Sequence, residues 1–553
     1  MRRIFVRLMQ GALLMSLAGA ATLIAQQPGA PVTYQDILAG LKPDGATWLT
    51  FGGNFANHRF SPLTQITPEN VKRLQPMWTF QTATVGNFET TSLLRDNVLY
   101  VTGPLNVAWA IDARSGRQIW RYRRELPLTE LTACCGLVNR GFAILGDRLF
   151  MTTLDAHLLA LDAKTGAVVW DASLEEHKNG FAATIAPIVA KDKVIVGVAG
   201  GEYGIRGFME AYDANSGKRV WRTYTIPGPG EPGNDSWSGD SWKIGGAGIW
   251  TTGAFDPELN LLYYGTGNPG PDFHGATREG DNLYSDSLIA LDADTGKMRW
   301  HYQFTPHDVH DYDSTQVPVL ADLTIGGQPR KVVMFANRNG FFYTLDRTNG
   351  KIIMAKTYVR TTWAKEIDAQ GRPILLPNQT PDEKGSLTCP DVTGATNFWQ
   401  PSFDPRSELF FVMARETCAN FFGYETPYSQ GQRYIGGGVQ RVERGENKPY
   451  GAVRALDPKT GERKWEFLLP TPARGGILST ASNLIFSGDN EGNVFALDSR
   501  NGKLLWAYQL GANLYGTSPT TFMLDGRQVL LVPAGTTLTA WALPDVPRST
   551  AQQ

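Results

Sequence analysis

Apolar and polar positions recur along this chain in a fixed order. An alanine closes an apolar run, a polar stretch holding aspartate and glycine follows, and an aromatic residue opens the next run. The pattern Ala-x-Asp-x-x-(Thr/Ser/Asn)-Gly-x-x-x-Trp runs from Ala110 to Trp120, Ala160 to Trp170, Ala211 to Trp221, Ala290 to Trp300, Ala455 to Trp465 and Ala496 to Trp506. A degenerate copy runs from Thr344 to Met354. Each copy reads as a strand end, a tight turn at Asp-x-x-x-Gly and a second strand, that is, a β-hairpin used as a repeating unit. Leu538-Thr539-Ala540 looks like the first half of a further copy, and Gln75-Pro76-Met77-Trp78 like its second half. Seven whole copies and one split copy predict an all-β, eight-bladed β-propeller closed by pairing of the N- and C-terminal strands. Radial closure of this kind protects edge strands.

The steps from Ala211 to Ala290 and from Thr344 to Ala455 are longer than the others. Extra residues in such a fold go into loops, and loops on one face carry function. A ninth, eroded unit inside the longer gap stays open. Residues 1–25 carry Arg2, Arg3 and Arg7 ahead of an apolar run ending at Ala25. This reads as a secretory signal, with an uncleaved anchor as the alternative, and residues 26–553 as one domain. No other segment is apolar enough to span a bilayer. The formal charge is −1, from 52 basic and 53 acidic residues, and becomes −4 without the three leader arginines. That balance argues against a nucleic-acid partner.

Four cysteines refine the picture. An exported chain is expected to form disulfides, and Cys389 with Cys418 would pin the long insert; two free thiols are the alternative. Cys134 and Cys135 are adjacent, with Cα atoms about 3.8 Å apart, below the usual disulfide range of about 4.4 to 6.8 Å. A bond between them closes almost no loop, so a strained ring there points to a functional surface rather than to stability. Two buried thiols are the plainer reading.

The densest chemistry lies at His307-Asp308-Val309-His310-Asp311-Tyr312-Asp313. In extended chain Asp311 and Asp313 project from one face, and two such carboxylates repel unless a cation or proton lies between them. His307 and His310 suggest zinc, but the other histidines are scattered, and oxygen donors favour a hard cation. Glu202 and Asn268 sit in glycine-rich breaks where backbone can approach a ligand closely. Each is also an ordinary turn residue.

From about Trp48 to Leu543 these segments together resemble the quinoprotein alcohol dehydrogenases, eight-bladed propellers that hold pyrroloquinoline quinone (PQQ) beside a metal ion. The resemblance rests on Phe51-Gly52-Gly53-Asn54, on Arg59 to Leu63, on Gln65 to Pro68, and on Ala133-Cys134-Cys135-Gly136-Leu137-Val138-Asn139-Arg140-Gly141. It implies that a Cys134–Cys135 ring covers one face of PQQ and Trp250 stacks on the other. Glu89, Arg140, Thr184 and Asn397 would bind its rim, and Arg338 would donate to the quinone oxygen. Glu202, Asn268 and Asp311 match the family's metal ligands. Asp313 matches the additional carboxylate of the lanthanide-dependent methanol dehydrogenases, so the expected ion is Ca²⁺ or a trivalent lanthanide. Ala199, Gly248, Arg474 and His310 depart from the methanol-dehydrogenase pattern, which points to a different or larger alcohol.

The expected reaction is periplasmic oxidation of an alcohol by hydride transfer to PQQ, with Asp311 as general base and Arg338 stabilising the oxyanion. No Cys-x-x-Cys-His occurs, so the resemblance implies a separate cytochrome c as acceptor. A homodimer is left open. The rival readings are a sugar or polyol dehydrogenase, a noncatalytic propeller scaffold, and a metal-dependent hydrolase built on His307, His310, Asp308 and Asp311.

Overall fold

In each copy of the repeat the aspartate closes its own turn. Asp162 Oδ1 accepts from the amides of Lys164 (3.0 Å) and Thr165 (2.8 Å) and from the Thr165 hydroxyl (2.9 Å). The Gly166 amide donates to the Asp162 carbonyl at 2.8 Å. This is an Asx turn, in which a short carboxylate stands in for a backbone acceptor. One residue slips out of register just after the turn, so Ala160 faces Trp170. The same pairing recurs at Ala110–Trp120, Ala211–Trp221, Ala290–Trp300, Thr344–Met354, Ala455–Trp465 and Ala496–Trp506. The split copy follows the same register: Ala540 of strand Thr537–Ala542 faces Trp78 of strand Gln75–Gln81.

The computed structural model describes residues 30–544 apart from 444, 446 and 447, so the leader reading lies outside the described residues. Antiparallel four-stranded sheets are built within 93–123, 143–173, 188–224, 254–303, 319–357 and 402–469. A further sheet at 478–509 carries Phe60–Ser61 as a parallel fifth strand, and the last joins 520–542 to Gln75–Gln81. The chain is thus an all-β propeller. Within the 93–123 sheet the first three strands are nearly all buried, whereas the fourth, Gln118–Arg123, is mostly exposed apart from Trp120. Continuous apolar runs belong to strands covered on both faces. The inserted strands, within 364–388 and 419–441, do not make another such sheet. Ala364–Ile367 pairs with Pro373–Leu375, and Ser386–Thr388, Ala419–Gly423 and Gly437–Arg441 form a three-stranded sheet. Cys389 and Cys418 are disulfide-bonded, joining the segments beside that sheet.

Neighbouring sheets meet through one recurring joint. An ideal Cβ added to Gly116, Gly166, Gly217, Gly296, Gly350 or Gly502 would lie 2.5 to 2.7 Å from the indole of Trp78, Trp120, Trp170, Trp221, Trp300 or Trp465, the aromatic of the copy before. Each indole N–H donates across the joint, to the carbonyls of Ala113, Ala163, Ala214, Ala293, Arg347 and Ser499 respectively. The degenerate copy puts Met354 Sδ at 2.8 Å from the corresponding position on Gly461. Trp506 has no following turn and packs edge-on against Trp541 at 5.5 Å.

The N-terminal segment explains its own motif. Arg59 is fully buried and donates to the carbonyls of Phe51 (2.9 Å), Ile477 (3.3 Å) and Pro519 (2.6 Å) and to Gln400 Oε1. One guanidinium therefore ties together segments hundreds of residues apart.

Gly166 has φ +73°, and its missing Cβ makes room for Trp120. Gly146 has φ +62° and nothing within 4 Å of that position. Gly146→Ala is expected to cost only the left-handed backbone penalty of about 1–2 kcal/mol. Gly166→Ala adds overpacking of about 1–3 kcal/mol. Chemical denaturation of the two variants side by side checks the difference.

Candidate active site

Glu202 lies on a single 3-10 turn, Gly201–Tyr203, flanked by Gly200 and Gly204 in positive-φ conformations. The Glu202 carbonyl accepts from the Tyr434 amide at 2.6 Å, and the Phe273 amide donates to the Ile435 carbonyl at 2.9 Å. The insert is thereby sewn onto two loops of the site. Asn268 follows the strand Leu261–Gly265, and its amide donates to Asp313 Oδ1 at 2.9 Å. A Cβ on Gly267 would stand 2.7 Å from that same oxygen, so only glycine allows the approach. The Asn268 Nδ2 donates to Asp272 Oδ1 at 3.0 Å and to the Pro269 carbonyl at 3.3 Å. Its Oδ1 is left on the side of the Glu202 turn, 3.7 Å from where a Gly201 Cβ would be.

Asp311 and Asp313 converge, though not by extended chain: Asp311 has φ +58°, in the left-handed region. Both carboxylates meet one guanidinium. Arg338 Nη1 donates to Asp313 at 2.6 Å and Nη2 to Asp311 at 3.1 Å. Arg338 Nε is anchored on the Val392 carbonyl at 2.8 Å. Burial opposes the Arg338 charge, but Asp311 and Asp313 outweigh it and raise its pKa. Burial also raises Asp311 well above the usual carboxylate range; Arg338 opposes this, while Asp313, Asp272 and Glu202 add to it. Burial and then Asp313 raise Glu202, and burial and then Glu202 raise Asp272. These directions describe a group of acids crowded together with little positive charge among them.

The other end is organised around Arg140. It pairs with Glu89 at 2.8 Å and donates to the Thr184 hydroxyl (2.5 Å) and the Trp250 carbonyl (3.2 Å). Its guanidinium lies 4.8 Å from the ring centre of Trp250 and 4.6 Å from that of Phe398, and those two rings meet edge-on at 5.9 Å. Asn397 Nδ2 donates to the Thr393 carbonyl at 2.8 Å. Cys134 and Cys135 are bonded to each other, and their sulfurs lie within 4.8 Å of a Glu202 oxygen. Sulfurs joined in a disulfide are not thiolate ligands.

All of these line one cavity of about 580 Å³: Glu89, Cys134, Cys135, Arg140, Thr184, Glu202, Trp250, Asn268, Asp311, Asp313, Arg338 and Asn397. Of the departures, Ala199, Gly248 and Arg474 line it too. His310 does not. Its ring stacks on Tyr312 at 5.1 Å, meets Phe421 edge-on and hydrogen-bonds the Gln379 carbonyl, and burial pushes its pKa down to about 4. The His307 ring contacts the Gly280 carbonyl at 2.8 Å. Asp308, raised to about 6 by burial, spends its oxygens on the amides of His310 and Tyr312. These three therefore form no common metal or hydrolytic site with Asp311.

Residue-by-residue reading missed Asp272, Phe398 and the insert residues Val392, Arg433 and Arg441 in the lining. Asp272 stands four residues after Asn268, and the Pro269-Gly270-Pro271 turn that returns it to Asn268 was a legible signal. The insert residues carried none.

The family model described as glucose/ethanol/alcohol dehydrogenase, beta-propeller domain, of the PQQ proteins, matches residues 48–361. The chain is 36% identical to the quinoprotein alcohol dehydrogenase PedH of Pseudomonas putida, over 94% of this chain and 91% of that one. It belongs to the PQQ-dependent quinoprotein alcohol dehydrogenases. It is also 37% identical to the lanthanide-dependent methanol dehydrogenase of Methylacidiphilum fumariolicum strain SolV, over 90% of this chain and 86% of that one. The crystal structure of quinohemoprotein alcohol dehydrogenase from Comamonas testosteroni superposes with a TM-score of 0.86 at 35% identity, covering 92% of this chain and 82% of the other. A model of the outer membrane protein assembly factor BamB matches residues 449–544 alone, a stretch of repeats that omits the cavity's cysteines and Trp250. Among the described residues no helix is long and apolar enough to cross a membrane.

Beside the cavity, Asp391 is almost fully buried and pairs with Arg415 at 3.0 Å. Burial raises its pKa, but Arg415, with Arg441 and Thr417, outweighs that and holds the carboxyl below its ordinary value. A depressed folded pKa means stability that is present above the unfolded value, about 3.9, and lost as pH falls through the folded one. Asp391→Asn is expected to be less stable than wild type near neutrality, with the gap closing in acid. Denaturant midpoints measured as pH is lowered check this.

Proposed function

We propose that the four-stranded sheets are eight blades closed into a ring by the pairing of Thr537–Ala542 with Gln75–Gln81, forming one domain that is exported to the periplasm. At its hub the enzyme oxidises an alcohol to an aldehyde or ketone and passes the electrons to a cytochrome c. The observation that carries this reading is the convergence of twelve side chains, from Glu89 to Asn397, on a single cavity.

The lining suits the groups that the family uses. The cavity's volume is in the range of cofactor sites. It offers Trp250 and the Cys134–Cys135 pair as apolar walls, and Arg140 with a buried Nε that has no hydrogen-bond partner among the described residues. Arg140, Glu89, Thr184 and Asn397 would hold the polar rim of PQQ. The carboxylates of Glu202, Asp311 and Asp313 with the Asn268 carbonyl form a hard-oxygen donor set for one cation, and Asp272 buttresses Asn268. Three carboxylates favour a high charge, so a lanthanide is preferred over Ca²⁺. When bound, PQQ supplies the acceptor for the hydride of the alcohol carbon, and the cation a Lewis acid beside it.

The chain's own residues do the rest. Asp311 accepts the hydroxyl proton. Arg338 fixes the orientation of that carboxylate through Nη2 and carries positive charge where negative charge develops. Asp313, on Nη1, holds the guanidinium in place. The insert covers this corner through Val392 and excludes water from it. Arg338 and the adjacent cysteines favour an alcohol over a sugar as substrate.

Asp311→Asn is expected to abolish turnover while the quinone absorbance of the purified holoenzyme is retained; activity in that variant would remove Asp311 from the role of base. Reconstitution of apo-protein with PQQ and La³⁺ is expected to give higher dye-linked activity than with Ca²⁺, and to lose that advantage in Asp313→Ala. Activity with Ca²⁺ alone would sink the lanthanide preference.

A further inference from the structure

The cavity shares Arg441, Arg474 and Tyr515 with a neighbouring one of about 420 Å³, to which Asp391 and Arg415 also contribute. Three guanidiniums meet there around one buried carboxylate. Asp391 lies 3.0 Å from Arg415 and 3.5 Å from Arg441. The other carboxylate in the lining, Glu443, is exposed and forms no ion pair among the described residues. Arg474 likewise has no carboxylate partner among the described residues. Its guanidinium lies 4.7 Å from the Tyr515 ring centre and donates to the Tyr515 hydroxyl. Arg415 is almost wholly buried, and its Nε has no hydrogen-bond partner among the described residues. Burial lowers the pKa of Arg474, and Arg415 and Arg441 add to that.

Positive charge gathered in a half-enclosed space costs free energy unless an anion offsets it. Asp391 pairs with both Arg415 and the half-exposed Arg441, one carboxylate against two guanidiniums, and Arg474 adds a third, so positive charge is in excess. Planar guanidinium forks bind a carboxylate through paired N–H donors, with a directionality that an ammonium lacks. Both cavities are lined by Arg441, Arg474 and Tyr515, so these groups border the space a ligand in the first would occupy.

Resting on the alcohol-oxidising reading, we propose that the substrate is a hydroxy-carboxylate: its hydroxyl lies at Asp311 and its carboxylate, at the opposite end, is received by Arg441 and Arg474. The reaction is unchanged in its balance. The hydroxyl proton goes to Asp311, the hydride to the quinone, and the carboxylate is a recognition handle only. The charge of Arg474 at this wall then selects against small neutral alcohols.

The test compares matched pairs, hexanol against ω-hydroxyhexanoate and butanol against ω-hydroxybutanoate, on the holoenzyme and on Arg441→Gln and Arg474→Gln. It also includes calorimetric binding of hexanoate, which has no hydroxyl to oxidise. Wild type is expected to prefer one of the acids over its neutral partner in kcat/KM by roughly tenfold or more, the scale of one charge-assisted contact. Each variant is expected to lose most of that ratio through KM and to bind hexanoate more weakly. Neutral alcohols preferred throughout, or an acid-to-neutral ratio that survives both substitutions, would overturn the proposal. So would equal loss on both substrates with loss of quinone absorbance, because the arginines would then serve the cofactor. If no alcohol is oxidised at all, it is the enzymatic reading that fails, and hexanoate binding still decides whether the pocket takes an anion.

Discussion

The architecture depends on an indole laid over a glycine. Every intact joint between consecutive copies places the tryptophan of one hairpin on the turn glycine of the next, with its N–H on a nearby carbonyl. The tryptophan buries a large apolar surface and satisfies its single donor at the same time. The glycine must lack a side chain for two reasons that coincide: its φ is positive, and the indole takes the volume a Cβ would need. A repeat built this way fixes the angle between neighbouring sheets at their outer edge. It leaves the inner ends of the sheets free to carry loops of any length.

Those loops make a cavity with two electrostatic characters. At one end burial and then neighbouring carboxylates raise the proton affinities of Glu202, Asp272 and Asp311, and Arg338 is the cation that bridges Asp311 and Asp313. At the other, Arg140 is held by Glu89 and boxed between Trp250 and Phe398. Buried charges concentrated in this way are costly to the fold, and perturbed groups of this kind cluster at functional sites. The long insert closes the cavity's wall. It is stapled by Cys389–Cys418 and stitched to the Glu202 turn and the Phe273 backbone, so its arginines are held at fixed places.

The repeat was legible because it is local: spacing and residue type define the Asx turn, and the register of Ala against Trp follows from it. The split copy could be read the same way, since Leu538-Thr539-Ala540 and Gln75 to Trp78 each keep half of the pattern, and Ala540 does face Trp78. The reading of Asp311 and Asp313 as a pair in extended chain failed in its reason, because Asp311 adopts a left-handed backbone, and held in its outcome, because both reach Arg338. The histidines of the same stretch were ambiguous in sequence. Packing against Tyr312 and Phe421 decides that His310 is part of the core.

By itself, then, the sequence determined the all-β repeat, the turn chemistry and the kinds of donor available to a cofactor and a cation, since each of these is set within a few residues or by a distinctive motif. Only the tertiary structure decided that Asp272 stands behind Asn268, that Arg338 bridges two carboxylates, and that Arg415, Arg441 and Arg474 gather around Asp391. The physical reason is range: these groups come from separate sheets and from an insert without periodicity, and charges so distant in sequence are brought together only when the packing of the sheets has set where each loop ends.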